Sequence, residues 1–373
     1  MGKTLPRQNI WQNATVFLTS LSLTCLLIFL TGEILLRVRY GSGPFPETLG
    51  GGLPSHLVQP DPVLGYSLTP GFKGKQRVPG SEDVEYQVNE QGLRDYERRF
   101  PLKAQIITAI GDSFTFGHGV AFEKTWATLL ENKIRSRYPQ YDLLKAGVPG
   151  FNWRQYAQQY ERITQDLTQH PLVIVGFTVD AGDRLKIGYE ARGGMLVKRF
   201  YPNLVVLDGL VYEKPSRSEW INQTDAFLRS RSYFFRWFNY KFFFLYHQIQ
   251  KTRHRKNLEN QPLHKKPEPH PLPVSQRRHV QEGLAVFERI AERARAKKAK
   301  MLVLFIDLPG RWPEEINYYQ KALSGKGIWS LDLSKFEEPG WRFSPNGHWN
   351  HFGHEQVAEK VYEFIQSHQL LAQ

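Results

Sequence analysis

Beyond about Phe100 the sequence predicts a doubly wound α/β fold, a parallel sheet with helices on both faces. Two observations predict it. Short continuous apolar runs recur at Ile106–Ile110, Leu143–Ala146, Leu172–Phe177 and Met301–Ile306, the kind of strand that is covered on both sides. Between them lie helical patterns, and alternation of the two is the signature of crossover connections in one sheet.

The first helical pattern, about Lys124 to Tyr138, puts Trp126, Leu129, Leu130 and Ile134 on one face. The second, about Trp153 to Leu167, does the same with Tyr156, Tyr160, Ile163 and Leu167. A third, carrying Leu284, Phe287, Ile290 and Ala294, precedes the Met301 strand, and Val357, Val361, Phe364 and Ile365 mark a C-terminal one. From about 183 to 280 the alternation breaks. Met195–Phe200, Leu204–Leu207 and Leu210–Tyr212 are strand-like, and Asp208-Gly209 joins the last two as a hairpin. Phe227 to Ile249 then crowds aromatics together, which reads either as a helix packed on the core or as an interfacial helix facing lipid or a lipid-linked ligand.

Upstream, Val16 to Leu36 is apolar and carries one charge, Glu33, a length that spans a bilayer. A secretory signal would have a shorter apolar region and a small-x-small cleavage pattern, and none precedes Arg37, so an uncleaved single-pass anchor over 16–37 is expected after a tail over 1–15. Trp11 and Tyr40 flank the span at interfacial positions, and Glu33, near one end, reaches headgroup water. Lys3 and Arg7 before it, against Arg37 and Arg39 after it, lean towards an N-inside orientation with the soluble part outside the cytoplasm. Residues 41–100, rich in Gly and Pro, read as a stalk and an irregular β lead-in to a domain over 101–373.

With 373 residues, 41% hydrophobic and 23% charged, the chain buries a full-sized core and is not disordered. Its net charge of +13 gathers partly in Lys251 to Arg278, whose Pro, His, Lys and Arg content reads as a mobile basic loop, either a solvated linker or a contact for anionic lipid or polymer. No nucleic-acid fold signature accompanies that charge, so nucleic acid is not an expected partner. The single cysteine, Cys25, lies in the apolar span, which excludes disulfides and cysteine-based metal sites from the rest.

Three loops that would follow strands at one sheet edge carry candidate chemistry. Gly111-Asp112-Ser113 turns sharply out of a strand and sets Ser113 at a helix start, where a nucleophile gains from nearby backbone N–H groups. Gly147-Val148-Pro149-Gly150 brings a glycine N–H to where an oxyanion would develop. Gly347-His348, before the last helix, supplies a base for the Ser113 proton. His351 and His354 follow His348 at suggestive spacings, but no Cys or Glu pattern completes a metal site, and no cofactor is expected.

In this order "GDSFTFG", "AGVPGFN" and "GHWNHFGHEQVAEKV" resemble the sequence blocks of the SGNH/GDSL hydrolases over about Ile106 to Leu371, outside the insertion. The resemblance implies a flavodoxin-like three-layer sandwich, Ser113 as nucleophile, Gly150 as oxyanion donor and His348 as base. "PDPVLGYSLTPGFKG" and "VNEQGLRD" are similar to the lead-in of membrane-anchored bacterial members, tied to envelope glycan or lipid chemistry. Two positions depart from the pattern. Asp180, in "VIVGFTVDAGD", stands where the oxyanion-hole asparagine is expected. Asn346, after Pro345, stands where the histidine-orienting aspartate is expected.

An ionised Asp180 repels the oxyanion, and loss of one donor costs roughly 2.7–4 kcal/mol, whereas a protonated Asp180 still donates. Asparagine for aspartate beside a serine-triad histidine costs about 10⁴ in kcat. Asp332 and Asp307 are the alternative carboxylates for His348. The expectation is thus a membrane-anchored serine hydrolase of acyl, above all acetyl, esters on envelope glycan or lipid-linked substrates. The alternatives are an O-acyltransferase of the same fold and a catalytically degenerate glycan- or lipid-binding module.

Overall fold

A computed structural model of the chain describes residues 7–40, 53–54, 56–77, 83–97, 105–167, 170–179, the strands between 187 and 213, residues 224, 228, 232–235 and 237–238, and 272–307, 311–343 and 347–371. It groups into two units, Met1–Pro46 with Trp220–Gln261, and Glu47–Glu219 with Pro262–Gln373.

The first unit is built on α1 (Arg7–Tyr40), within which Thr15–Arg39 is long and apolar enough to cross a membrane, with a mean hydropathy of 1.9. Nearly all of its described side chains are exposed; those that are not, Phe29, Gly32, Glu33 and Leu36, fall at i, i+3, i+4 and i+7 and form one stripe. A helical turn at Tyr233–Phe235 covers that stripe. The Phe29 and Phe234 rings meet edge to face at 5.4 Å. The described part of the aromatic segment makes these contacts with α1, and the rest of Phe227–Ile249 lies outside the described residues. Glu33 is also not simply solvated: its carboxylate accepts from Arg37 Nε, Ser232 Oγ, Tyr233 N and Phe234 N.

The second unit begins with two antiparallel pairs, β1 (Val58–Asp61) with β2 (Gly65–Leu68) and β3 (Lys73–Arg77) with β4 (Asp83–Gln87). Its central sheet has five parallel strands: β5 (Gln105–Gly111), β6 (Tyr141–Gly147), β7 (Leu172–Thr178), β12 (Lys300–Ile306) and β13 (Trp329–Asp332), in the order β13-β12-β7-β5-β6. Between β7 and β12 come the hairpin of β8 (Ile187–Arg192) and β9 (Met195–Phe200) and that of β10 (Leu204–Leu207) and β11 (Leu210–Glu213). β10 and β11 pair antiparallel, as the sequence predicts for Leu204–Leu207 and Leu210–Tyr212, while Asp208 and Gly209 lie outside the described residues. Winding reverses at β5, because β6 lies on one side of it and β7 on the other, and such a switch point opens a crevice at the carboxyl ends of the strands.

Alternate strand residues face opposite layers, as the pleat requires. Ile107, Ala109, Leu143, Ile174, Leu302 and Leu304 join one core with α3 (Trp126–Arg137) and α7 (His351–Ser367). Ile106, Leu144, Val173, Val175, Val303 and Phe305 join the other with α4 (Trp153–Ile163), α5 (Arg278–Ala296) and α6 (Pro313–Ser324). This is the three-layer α/β sandwich of the sequence reading. Edge strand β13 and helix α6 are additions to it. Most of the basic loop, 251–271, lies outside the described residues.

Candidate active site

The Ser113 turn is set by its neighbours in sequence. Asp112 follows β5 with a non-helical backbone and caps α2 (Ser113–Phe116): its Oδ1 accepts from Phe114 N at 3.0 Å and its Oδ2 from Thr178 Oγ1 at 2.7 Å. The buried carboxylate is thereby committed to structure. Ser113 is the first helical residue, so its N–H is one of those a helix leaves without an internal partner. Gly117, in the left-handed region at φ +79°, closes the turn by donating to Ser113 O.

Three glycines let this turn sit directly on the sheet. Gly111, Gly147 and Gly176 stand side by side in register near the carboxyl ends of β5, β6 and β7. A Cβ on Gly147 would lie 2.3 Å from Phe116 N and 2.5 Å from Thr115 C, and one on Gly111 2.3 Å from Thr115 Oγ1. A larger residue at these positions would lift Ser113 off the strand ends.

The lead-in holds the far side of the turn. Arg94 donates from Nη1 to the Phe116 and Gly117 carbonyls and from Nη2 to Val120 O, with its guanidinium over the Tyr86 and Phe116 rings. Burial pulls its pKa down to about 10, which leaves it charged. Tyr86 Oη accepts from Gly119 N at 2.7 Å. Next in sequence, Asp95 accepts from buried Lys145 on β6 at 2.9 Å, and Glu131 of α3 accepts from the same ammonium at 2.6 Å. All three side chains are at most 4% exposed, so each charge depends on the others.

His348 reaches Ser113 from a loop with its own brace. Phe343 N donates to His348 O, Gly347 N donates to Phe343 O, and Asn350 caps α7 by accepting from Gly353 N. Arg342 donates to Gly347 O and Asp307 O and pairs with Glu337, joining this loop to the end of β12. The imidazole packs against the Phe114 and His118 rings, at centroid distances of 5.0 and 4.5 Å. Its Nε2 is 2.8 Å from Ser113 Oγ, within reach for proton transfer.

The other predicted residues fall as follows. Gly150, at φ +78°, occupies the turn between β6 and Asn152, the N-cap of α4; Val148 N donates to Gly111 O, and Tyr66 Oη donates to Pro149 O, so this loop adjoins the Ser113 turn. Asp180 and Asn346 lie outside the described residues. Asp332 caps the short turn after β13 by accepting from Ser334 N and Oγ, while Asp307 is buried just past β12. His351 is exposed at the start of α7. His354 Nδ1 accepts from Trp126 N, and burial pushes its pKa down to about 3, keeping it neutral. Among the described residues no three His, Cys, Asp or Glu side chains gather to hold a metal ion.

No protein-family model and no curated protein matches this sequence. Solved structures similar to it include TesA, at 13% identity over 72% of this chain and 100% of that one, with a TM-score of 0.39. The psychrotrophic esterase EstA from Pseudoalteromonas sp. is 10% identical over 71% of this chain and 98% of that one, TM-score 0.38. A member of the lipolytic protein G-D-S-L family from Veillonella parvula is 11% identical over 70% and 99%, TM-score 0.37.

Four supporting residues, Arg94, Lys145, His118 and Arg342, are not identified by the sequence reading. Arg94 and Asp95 sit inside "VNEQGLRD", where a buried ion pair and a carbonyl clamp look like any polar turn until the fold brings β6 and α2 alongside.

Proposed function

We propose that the chain is a membrane-anchored serine ester hydrolase that acts on acyl, above all acetyl, esters of envelope glycan or lipid-linked substrates. The observation that carries this reading is the 2.8 Å approach of His348 Nε2 to Ser113 Oγ at the switch point of the sheet. In the reaction, Ser113 Oγ attacks the acyl carbonyl while His348 takes its proton. The Ser113 and Gly150 N–H groups receive the oxyanion. Collapse expels the alcohol with the proton from His348, and water releases the acid by the reverse sequence. The apolar span of α1 supports the anchor.

A fluorophosphonate probe and p-nitrophenyl acetate test the reaction. The expected result is a covalent adduct on Ser113 and ester turnover that Ser113→Ala removes. Equal rates in the two proteins, with no adduct, overturn it. With an acetylated donor and a sugar acceptor, acetyl-sugar in place of free acetate would make the enzyme an O-acyltransferase.

A further inference from the structure

We propose that the helical turn at Ser232–Phe235, with Phe238 just beyond it, is a second membrane-inserted element, docked on α1 and capped by Glu33, so that the anchor is a two-part lipid-facing unit. The inference rests on the reading of α1 as a membrane span.

The first backbone N–H groups of any helix need partners from outside it, and in hydrocarbon water does not supply them. Here every one of the first three is met by protein. Tyr233 N and Phe234 N donate to the Glu33 carboxylate, at 3.2 and 2.9 Å, and Phe235 N donates to Ser232 Oγ at 3.0 Å. Ser232 Oγ in turn donates to Glu33 at 2.8 Å. The need is mutual, because a carboxylate in an apolar span is costly unless donors surround it, and Glu33 has three from this segment and one from Arg37. Its side chain is 14% exposed.

The seam is shaped for this contact. Gly32 makes room for the Phe234 ring, which a Cβ there would meet at 2.2 Å, and Arg37 lies over the Tyr233 ring at 5.0 Å. Among the described residues beyond the seam, Phe238 is 51% exposed, and Ile34, Leu35 and Val38 of α1 are more exposed still. Glu33 is six residues before Arg39, about 9 Å along the helix, which puts the docked turn below the level of the flanking arginines. Arg229, Arg231, Arg236 and Lys241 are interleaved with the aromatics of this stretch, a composition that suits anionic headgroups above an acyl layer. The partner is therefore lipid.

The test uses the full chain with Cys25→Ser, carrying Phe238→Cys labelled with an NBD fluorophore, in phosphatidylcholine–phosphatidylglycerol vesicles. Flotation reports whether the chain is anchored. The expected result is NBD emission quenched at least twofold by acyl-chain nitroxide lipids and shielded from aqueous iodide, with Glu33→Ala reversing both and Glu33→Gln, which keeps an acceptor oxygen, retaining them. A label at Val63 serves as the aqueous reference. A floating wild-type chain whose residue 238 is quenched by iodide overturns the inference and leaves the anchor intact. Insertion unchanged in Glu33→Ala overturns the role of Glu33. A chain that does not float overturns the anchor and the inference together. Thermal unfolding of the α/β unit, unchanged in Glu33→Ala, shows that the loss is local.

Discussion

Oγ of Ser113 and Nε2 of His348 meet at 2.8 Å although 235 positions separate them in the chain. Ser113→Ala and His348→Ala are each expected to lower kcat for an acetyl ester by about 10³-fold or more, because the pair acts as a unit. The unfolding midpoint should change little, since neither side chain is deeply buried. Steady-state kinetics alongside thermal unfolding checks both halves; a His348→Ala enzyme within tenfold of wild type would remove the histidine from the mechanism.

Gly147→Ala tests the seat of Ser113. The added Cβ meets the backbone of Thr115 and Phe116, so α2 must move rather than a side chain rotate. A shift of about 1 Å in a reacting group costs on the order of 10²-fold, and overpacking costs about 1–3 kcal/mol. The expected result is a fall of kcat/KM on that scale in a protein that still folds.

Lys145→Met leaves Asp95 and Glu131 buried without their shared cation. A destabilisation of about 3–5 kcal/mol is expected in urea unfolding. The triple variant Lys145→Met, Asp95→Asn, Glu131→Gln should recover part of it. No recovery would mean that packing, not charge, is what Lys145 provides.

His354 and His170 give the α/β unit an acid limit. Burial lowers their pKa values to about 3 and about 4, and the backbone N–H of Trp126 meets the first while Ile106 O and Tyr160 Oη meet the second. Between those values and about 6.5 the unfolded chain binds protons that the folded one refuses. Stability is therefore full above about pH 6.5 and falls as pH drops towards 3, by at most about 1.4 kcal/mol per pH unit for each group. His354→Asn, which keeps an acceptor near Trp126 N, should flatten the slope; an unchanged slope would assign it to other groups.

The sheet was legible because four of its strands are short continuous apolar runs, a pattern that burial alone produces. β13 was not, since Trp329–Asp332 is four residues at an edge with one exposed aromatic. Ser113 and His348 could be read because turn chemistry and a helix start mark them locally. The partners of Glu33 could not: a lone acid in an apolar run says nothing about a serine and two amide groups 199 to 201 positions away. Arg94 was hidden for the same reason, its acceptors being backbone carbonyls that carry no side-chain signature.

The Arg94–Asp95 pair also bears on how this protein can be taken apart. A fragment starting at β5 would contain every strand of the central sheet and both residues of the Ser113–His348 pair. It would nonetheless leave Lys145 and Glu131 without Asp95, and three carbonyls of the Ser113 turn without a guanidinium. An excisable α/β body thus begins upstream of Arg94 and Asp95, and the stretch that carries them is part of that body rather than an appendage to it.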